Sequence, residues 1–354
     1  MTLVFMGQML LRTDLRCTGP GREALARARD LLHSADADLI LGELEAALLD
    51  PSWSTPQIKD AARRQGLFLH TAPPGVLDCL RALGIRLVAL ANNHTGDLGP
   101  AGLSHLQAEL RLRGMVGAGA GRHLAEAAAP RYYDTPHGLG RVALVSVASK
   151  VPAGYAAGER TPGVFHLSLV GRGSMCFTPD PAELRTLLVS IAEARRRSAF
   201  VVVCHHNHYW DETDRDVPAW KRRLARLCAD AGADAYVGHG EPRLQGVEMY
   251  GGRPLFYCLG SFVFQTRTEP GFYGPEVWES VVVHRCRRGA LTLVPVSLDE
   301  RQGPLRGLPR KCTPRLAAHI LGRLDALSRP LGTAVVTTRL GQGRIVGVVR
   351  TLDQ

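Results

Sequence analysis

Four short apolar runs in this 354-residue chain end in side chains that ligate metals or move protons. "DLILGELE" ends in Glu43 and Glu45, and "RLVALANNHTGD" leads into Asn93, His94 and Asp97. "FVVVCHHNHYWD" delivers His205, His206, His208 and Asp211, and "ADAYVGH" ends in His239. Short apolar runs bounded by polar residues read as buried strands, and in α/β sheets ligands gather at the carboxyl ends of strands. Singly, each residue has a plainer reading. A strand-end histidine is more often a hydrogen-bonded core or surface group, one of the two glutamates a salt-bridge partner, and Asn92–Asn93 a turn. Four such ends in one chain point to a joint site, because imidazole, carboxylate and amide oxygen from separate elements are what surrounds a divalent cation.

The first half alternates strand and helix patterns with short connections, which predicts a layered α/β fold. "TLVFMG" reads as the first core strand: the amino-terminal run lacks the charged segment of a signal peptide and is broken at Gly7 and Gln8. The Gly-rich stretch from Val151 to Met175 reads as an active-site flap. From "PLFYCLGSFVFQ" to "ESVVVHRCRRGALTLVPVSL" the pattern turns to consecutive strands, which predicts a second sheet packed on the first. Residues 1–300 are expected to form the catalytic domain, with a helix and strands in 301–354 completing it.

Composition narrows the function classes. The net charge of +10 comes mostly from arginines scattered through helices such as "EARRRS" and "AWKRRLARL". Solvated helix faces are the plain reading, and a groove for an acidic partner the sharper one. No aromatic-interleaved basic motif argues for nucleic acid, and no segment reaches the roughly 18 apolar residues of a membrane span. The eight cysteines lie far apart with no CxxC pair, as expected of reduced thiols. A soluble, cytoplasmic protein is expected.

The motifs "ALANNHTGDLGPAGL", "VVVCHHNHYW", "ADAGADAYVGHG" and "GVEMYGGRPLFYCLGSFVFQ" resemble those of the CapA family, the poly-gamma-glutamate-synthesis proteins of the calcineurin-like metallophosphoesterase superfamily. The resemblance covers residues 1 to about 300 and implies a calcineurin-like four-layer α/β/β/α sandwich with metal ligands on loops at one edge. It implies Glu45, Asn93, His206 and His239 as metal ligands, with His94 and Asp97 answering the imidazole and acid of the family's "NNH" segment. The chain departs from the family's "GD" at Gln8, its "NLE" at Glu43, its "GHGPH" at Glu241 and Pro242, and its "SLGNF" at Cys258 and Ser261; of these, Gln8 replaces an Asp ligand and Pro242 the second His of "GHGPH". A two-metal hydrolase needs both ions to clamp attacking and leaving oxygens. The losses leave a set of hard oxygen and imidazole donors suited to one Ca²⁺, Mg²⁺ or Mn²⁺, and no organic cofactor is expected.

This pattern of losses is similar to that of the lasso-peptide epimerases, which invert the α-carbon of the C-terminal residue of a ribosomal precursor peptide. Inversion removes a proton on one face and returns one on the other, so two acid/base groups must flank the carbon. His94 with Asp97 is one set, and His208 or His206 with Asp211 the other. Trp210, Tyr209 and Glu43 are expected against the substrate, a precursor peptide with a large C-terminal side chain such as Trp. The competing readings are a metal-dependent phosphoesterase or amide hydrolase of the CapA type, and a non-catalytic binding module.

Overall fold

Residues 3–10 are apolar on both faces because both faces of their sheet are covered. In the computed structural model, which describes residues 1–33, 36–53, 69–171, 177–209 and 216–352, all eight are buried. The sheet-forming strands of the first half are β1 (Leu3–Leu10), β2 (Leu39–Leu44), β3 (Ile85–Ala89), β4 (Val116–Ala118), β5 (Arg131–Asp134) and β6 (Arg141–Ser149). There follow β7 (Phe200–Asn207), β8 (Ala235–His239), β9 (Val247–Tyr250), β10 (Arg253–Phe256), β11 (Ser261–Phe264) and β12 (Glu279–Arg285). The last four are β13 (Leu291–Leu298), β14 (Pro309–Lys311), β15 (Thr333–Arg339) and β16 (Ile345–Thr351).

The first sheet has the order β15-β16-β13-β12-β1-β2-β3-β4, with β11 also beside β1 and β14 beside β13. The second has the order β9-β10-β8-β7-β6-β5. Between them lies a core built from alternate residues of each: Leu3, Phe5, Leu39 and Leu41 of one, and Phe200, Val202, Cys204 and Val237 of the other. The helices α1 (Gly19–Leu32), α2 (Gly75–Ala82) and α3 (Gly99–Leu112) cover the outer face of the first sheet. The second is covered by α4 (Pro181–Arg197) and α5 (Ala219–Asp230). The expected four layers are therefore present. Helix α6 (Pro314–Ser328) inserts Ile320, Leu321 and Leu324 between the sheets. Capping sets helix starts: Thr18 Oγ1 accepts from Gly21 N–H, and the Asp180 carboxylate from the N–H groups of Ala182 and Glu183.

Two expectations are corrected. The consecutive strands β11, β12 and β13 do not found the second sheet. They extend the first, where β12 pairs antiparallel with β1, Leu3 opposite Arg285, and the second sheet comes from residues 131–256 instead. Hydrophobic pattern reveals a strand but not its partner. Nor is the stretch after Val151 a free flap. Gly163–Val164 pair with Ala120–Gly121, Phe165 and Leu167 are fully buried, and Tyr155 is 5% exposed. Its apolar side chains outweigh its glycines. Residues 172–176 lie outside the described residues.

Cys17, Cys79, Cys204, Cys228, Cys258, Cys286 and Cys312 are free thiols, and no helix among the described residues is long and apolar enough to cross a membrane.

Candidate metal and acid/base centre

Strand parity delivers the polar side chains. On β7, Phe200, Val202 and Cys204 face the other sheet, so His206 does too, while His205 points to the helix side. There His205 is a buried structural group, its ring nitrogens bonded to Tyr236 Oη at 2.5 Å and Ser149 Oγ at 2.8 Å. The same parity turns Glu43 inward from β2 and His239 inward from β8.

Gln8 reaches this edge through an irregularity in β1: the pairing with β2 shifts between Phe5 and Gln8, and Met6 and Met9, three apart, lie in the same helix-side core. Close approach there requires Gly7, whose added Cβ would lie 2.0 Å from the Gly260 carbonyl oxygen. Gln8 Oε1 accepts a hydrogen bond from Gly240 N–H at 2.7 Å, and Gly240 has φ +97°, a conformation only glycine adopts freely.

Glu45 is the hub. Its Oε1 lies 4.0 Å from His94 Nε2 and 4.0 Å from His206 Nε2. It belongs to two separate donor sets, Glu45–His206–His208 and Glu45–His70–His94, each with ligand atoms within 4.8 Å of one another. His94 Nδ1 is 2.9 Å from Asp97 Oδ2, and Asp97 is itself held by His70 N–H at 2.6 Å and Tyr155 O–H at 3.1 Å. His70 stacks on His94 with ring centroids 3.5 Å apart. Across Glu45, His206 Nδ1 is 2.6 Å from Glu43 Oε1, and Glu43 Oε2 is 3.4 Å from His239 Nδ1. The His206 and His208 rings are 4.9 Å apart.

Charge follows burial. Glu43 rises to about 7 and Glu45 to about 8, chiefly by desolvation, with neighbouring imidazoles pulling back. His206 and His208 are lowered by burial and then by the charges of nearby histidines, and burial takes His239 to about 4 against the opposing charge of Glu43. In His94 burial also lowers, but the hydrogen bond to Asp97 and the charges of Glu45 and Asp97 outweigh it, and the net shift is upward. His94 and His208, on either flank of Glu45, are thus biased in opposite directions.

Of the residues singled out in the sequence, the structure brings together Glu43, Glu45, Asn93, His94, Asp97, His206, His208 and His239. His239 lies outside both donor sets and against Glu43. Glu43, expected at the substrate, is 1% exposed and wedged between His206 and His239. Tyr209 packs on Phe177 with ring centroids 4.8 Å apart and takes Lys150 over its face, on the helix side of the second sheet. Trp210 and Asp211 lie outside the described residues. His70 and Tyr155 carried no signal at the sequence level: neither ends a recognisable strand, and both reach the site through loops.

The donors fit a divalent cation on one flank. Glu45 Oε2 and His206 Nε2 are buried with no hydrogen-bond partner, as are Glu43 Oε2, Asn93 Oδ1 and His239 Nδ1, which leaves lone pairs for an ion, and Glu43 Oε1 on the far nitrogen of His206 is the usual support of a metal-bound imidazole. Gln8, in the place of an acid, is committed to Gly240, and Pro242 brings no side-chain donor, so those two positions add nothing to the donor sets.

The model of the family described as "Bacterial capsule synthesis protein PGA_cap" matches residues 2–266. The chain is 28% identical to the protein y4sH of Sinorhizobium fredii, over 97% of this chain and 93% of that one. With the PGA biosynthesis protein CapA of Bacillus subtilis it shares 32% identity over 53% of this chain and 46% of the other. With a probable polyglutamine synthesis accessory protein of Mycobacterium tuberculosis it shares 30% over 73% and 62%. Among solved structures, the 5'-nucleotidase precursor of Thermus thermophilus aligns with TM-score 0.36 and 14% identity, over 88% of this chain and 52% of that one. GAP50 of Plasmodium aligns with TM-score 0.41 and 10% identity, over 92% and 96%. With the family model matching three quarters of its length, this four-layer α/β/β/α chain belongs to the bacterial capsule synthesis protein (PGA_cap) family.

Proposed function

We propose that this chain is a metal-dependent peptide epimerase that inverts the α-carbon of the C-terminal residue of a ribosomal lasso precursor peptide. The observation that carries the reading is Glu45 shared between two donor sets, with His94 in one and His208 in the other. An α-proton taken on one side and a proton returned on the other need imidazoles on both flanks of one position. Relatives are named for PGA biosynthesis and polyglutamine synthesis, which makes a peptidic substrate the natural class. The committed Gln8 argues against the two-ion clamp that hydrolysis of a phosphoester uses.

In this reading Asp97 accepts from His94 Nδ1–H, which fixes the tautomer and leaves Nε2 to exchange a proton with the substrate carbon. His70, stacked on His94 and bonded through its N–H to Asp97, holds the pair in place. His208 serves the opposite face. Glu45, Asn93 and His206 are the residues that would hold a cation, which would supply positive charge against the negative charge developing on the substrate.

The test is incubation in D₂O of precursor peptides ending in L- or D-Trp, followed by mass spectrometry and chiral analysis of the terminal residue. Deuterium at the α-carbon together with inversion is expected. Recovery of unlabelled, uninverted peptide from both starting forms contradicts the reading.

A further inference from the structure

Two guanidinium groups leave the same edge side by side, and neither is used by the chemistry above. Strands β1 and β11 run parallel with Leu10 opposite Phe264, so the chains that follow them exit in the same direction. Gln265 ties those exits together: its N–H donates to the Leu10 carbonyl at 3.0 Å, and its Oε1 accepts from Arg12 N–H at 2.7 Å and Thr13 N–H at 3.1 Å. Arg12 and Arg267 stand two and three residues beyond the last paired positions. Arg12 Nη2 donates to the Leu69 carbonyl at 3.3 Å, next to His70 and hence beside His94. Among the described residues neither arginine forms an ion pair. The oxygens of Asp97, the acid whose charge acts on Arg12, are already engaged by His70, His94 and Tyr155.

Like charges held together at the mouth of a site have no structural return of their own. Burial and the charge of Arg267 bring Arg12 down to about 10, so the unliganded arrangement is costly and an anion relieves it. We propose that Arg12 and Arg267 form the clamp for the free α-carboxylate of the substrate's C-terminal residue. A carboxylate accepts from guanidinium groups in a fixed fork geometry, and one bound beside His70 sets the adjacent α-carbon toward His94. The clamp confines the enzyme to the last residue of a peptide, since internal residues have no free carboxylate. This inference rests on the epimerase reading for its substrate, but its binding test does not.

The probes are N-acetyl-Gly-Trp, its C-terminal carboxamide and phenyl phosphate, with affinity measured by calorimetry on the full chain. The acid is expected to bind about 10- to 100-fold tighter than the amide, and the preference to collapse in both Arg12→Gln and Arg267→Gln. The Arg12→Lys variant, which keeps the charge and loses the fork, is expected to retain only part of it, and circular dichroism confirms that each variant is folded. Equal binding of acid and amide, or a preference that survives both Gln variants, overturns the clamp. Arginine-dependent binding of phenyl phosphate but not of the peptide acid also overturns it, in favour of a phosphoryl ligand. A preference for the acid without deuterium exchange keeps the clamp and rejects the epimerase. Exchange at equal rates in acid and amide does the reverse.

Discussion

Glu43 and Glu45 leave the same strand two residues apart, yet their surroundings differ in kind. Glu43 is closed in: it bonds His206, approaches His239, and lies among groups that are 1% exposed. Next to it Gln8 is spent on a backbone N–H. Glu45 faces the mouth, beside His94 with its side chain 13% exposed and two arginines at the exit. Both carboxylates keep one oxygen without a hydrogen bond, so the halves differ in access: the first is sealed, and the second lies beside the mouth. Substitutions in the open half should therefore cost chemistry, and those in the closed half should cost stability.

The largest expected effect is in the open half. His94→Ala should lower inversion by about 10²- to 10⁴-fold while leaving the melting temperature close to that of the parent. Inversion at the parental rate would remove His94 from the mechanism. The rates are read from chiral analysis of the terminal residue in peptides started from either hand.

Away from the mouth the effects should be on stability. In the closed half acid titration acts in both directions: Glu43, raised to about 7, gains stability as the pH falls from about 7 to 4.5, whereas His239, lowered to about 4, and His206, lowered by burial, lose it below 6.5. His284, on β12 far from the edge, is also lowered to about 4, mainly by burial. Above pH 6.5 its imidazole is neutral in both folded and unfolded chains. Between about 6.5 and 4 the unfolded chain takes up a proton that the folded one refuses, so stability falls. His284→Gln should recover on the order of 3 kcal/mol at pH 4 relative to pH 7, measured by urea unfolding at both pH values. An unchanged pH dependence would contradict the assignment.

A smaller effect is expected at Gln8. Its replacement by Ala strands the Gly240 N–H and should cost about 1–3 kcal/mol in urea unfolding, with exchange activity within about tenfold of the parent. A loss of activity as large as that of His94→Ala would mean that the closed half is not closed.

Strand ends were the legible part of this site. Parity along β2, β7 and β8 places Glu43, His206 and His239 on the facing surfaces of the two sheets, and an apolar run with a polar end states that directly. Residues arriving from loops were not legible. His70 precedes a two-residue strand with no periodicity, Tyr155 sits in a segment that reads as glycine-rich, and Arg12 and Arg267 become neighbours only through the long-range pairing of β1 with β11. Local pattern carries no information about such pairing, which is also why β11 to β13 read as the start of a new sheet. The role of Glu43 was hidden for another reason: two acids on one strand face look alike until the partner sheet shows which of them it covers.

Glu45, shared by both donor sets, should hold a single cation. Protein stripped of metal and titrated with Mn²⁺ allows the bound ions to be counted by elemental analysis, and electron paramagnetic resonance reports whether any two are close. One ion per chain is expected, with the spectrum of an isolated Mn²⁺ and with binding lost in Glu45→Gln but only weakened, by about 10- to 100-fold, in Glu43→Gln. Two ions per chain with exchange-coupled spectra would contradict the account.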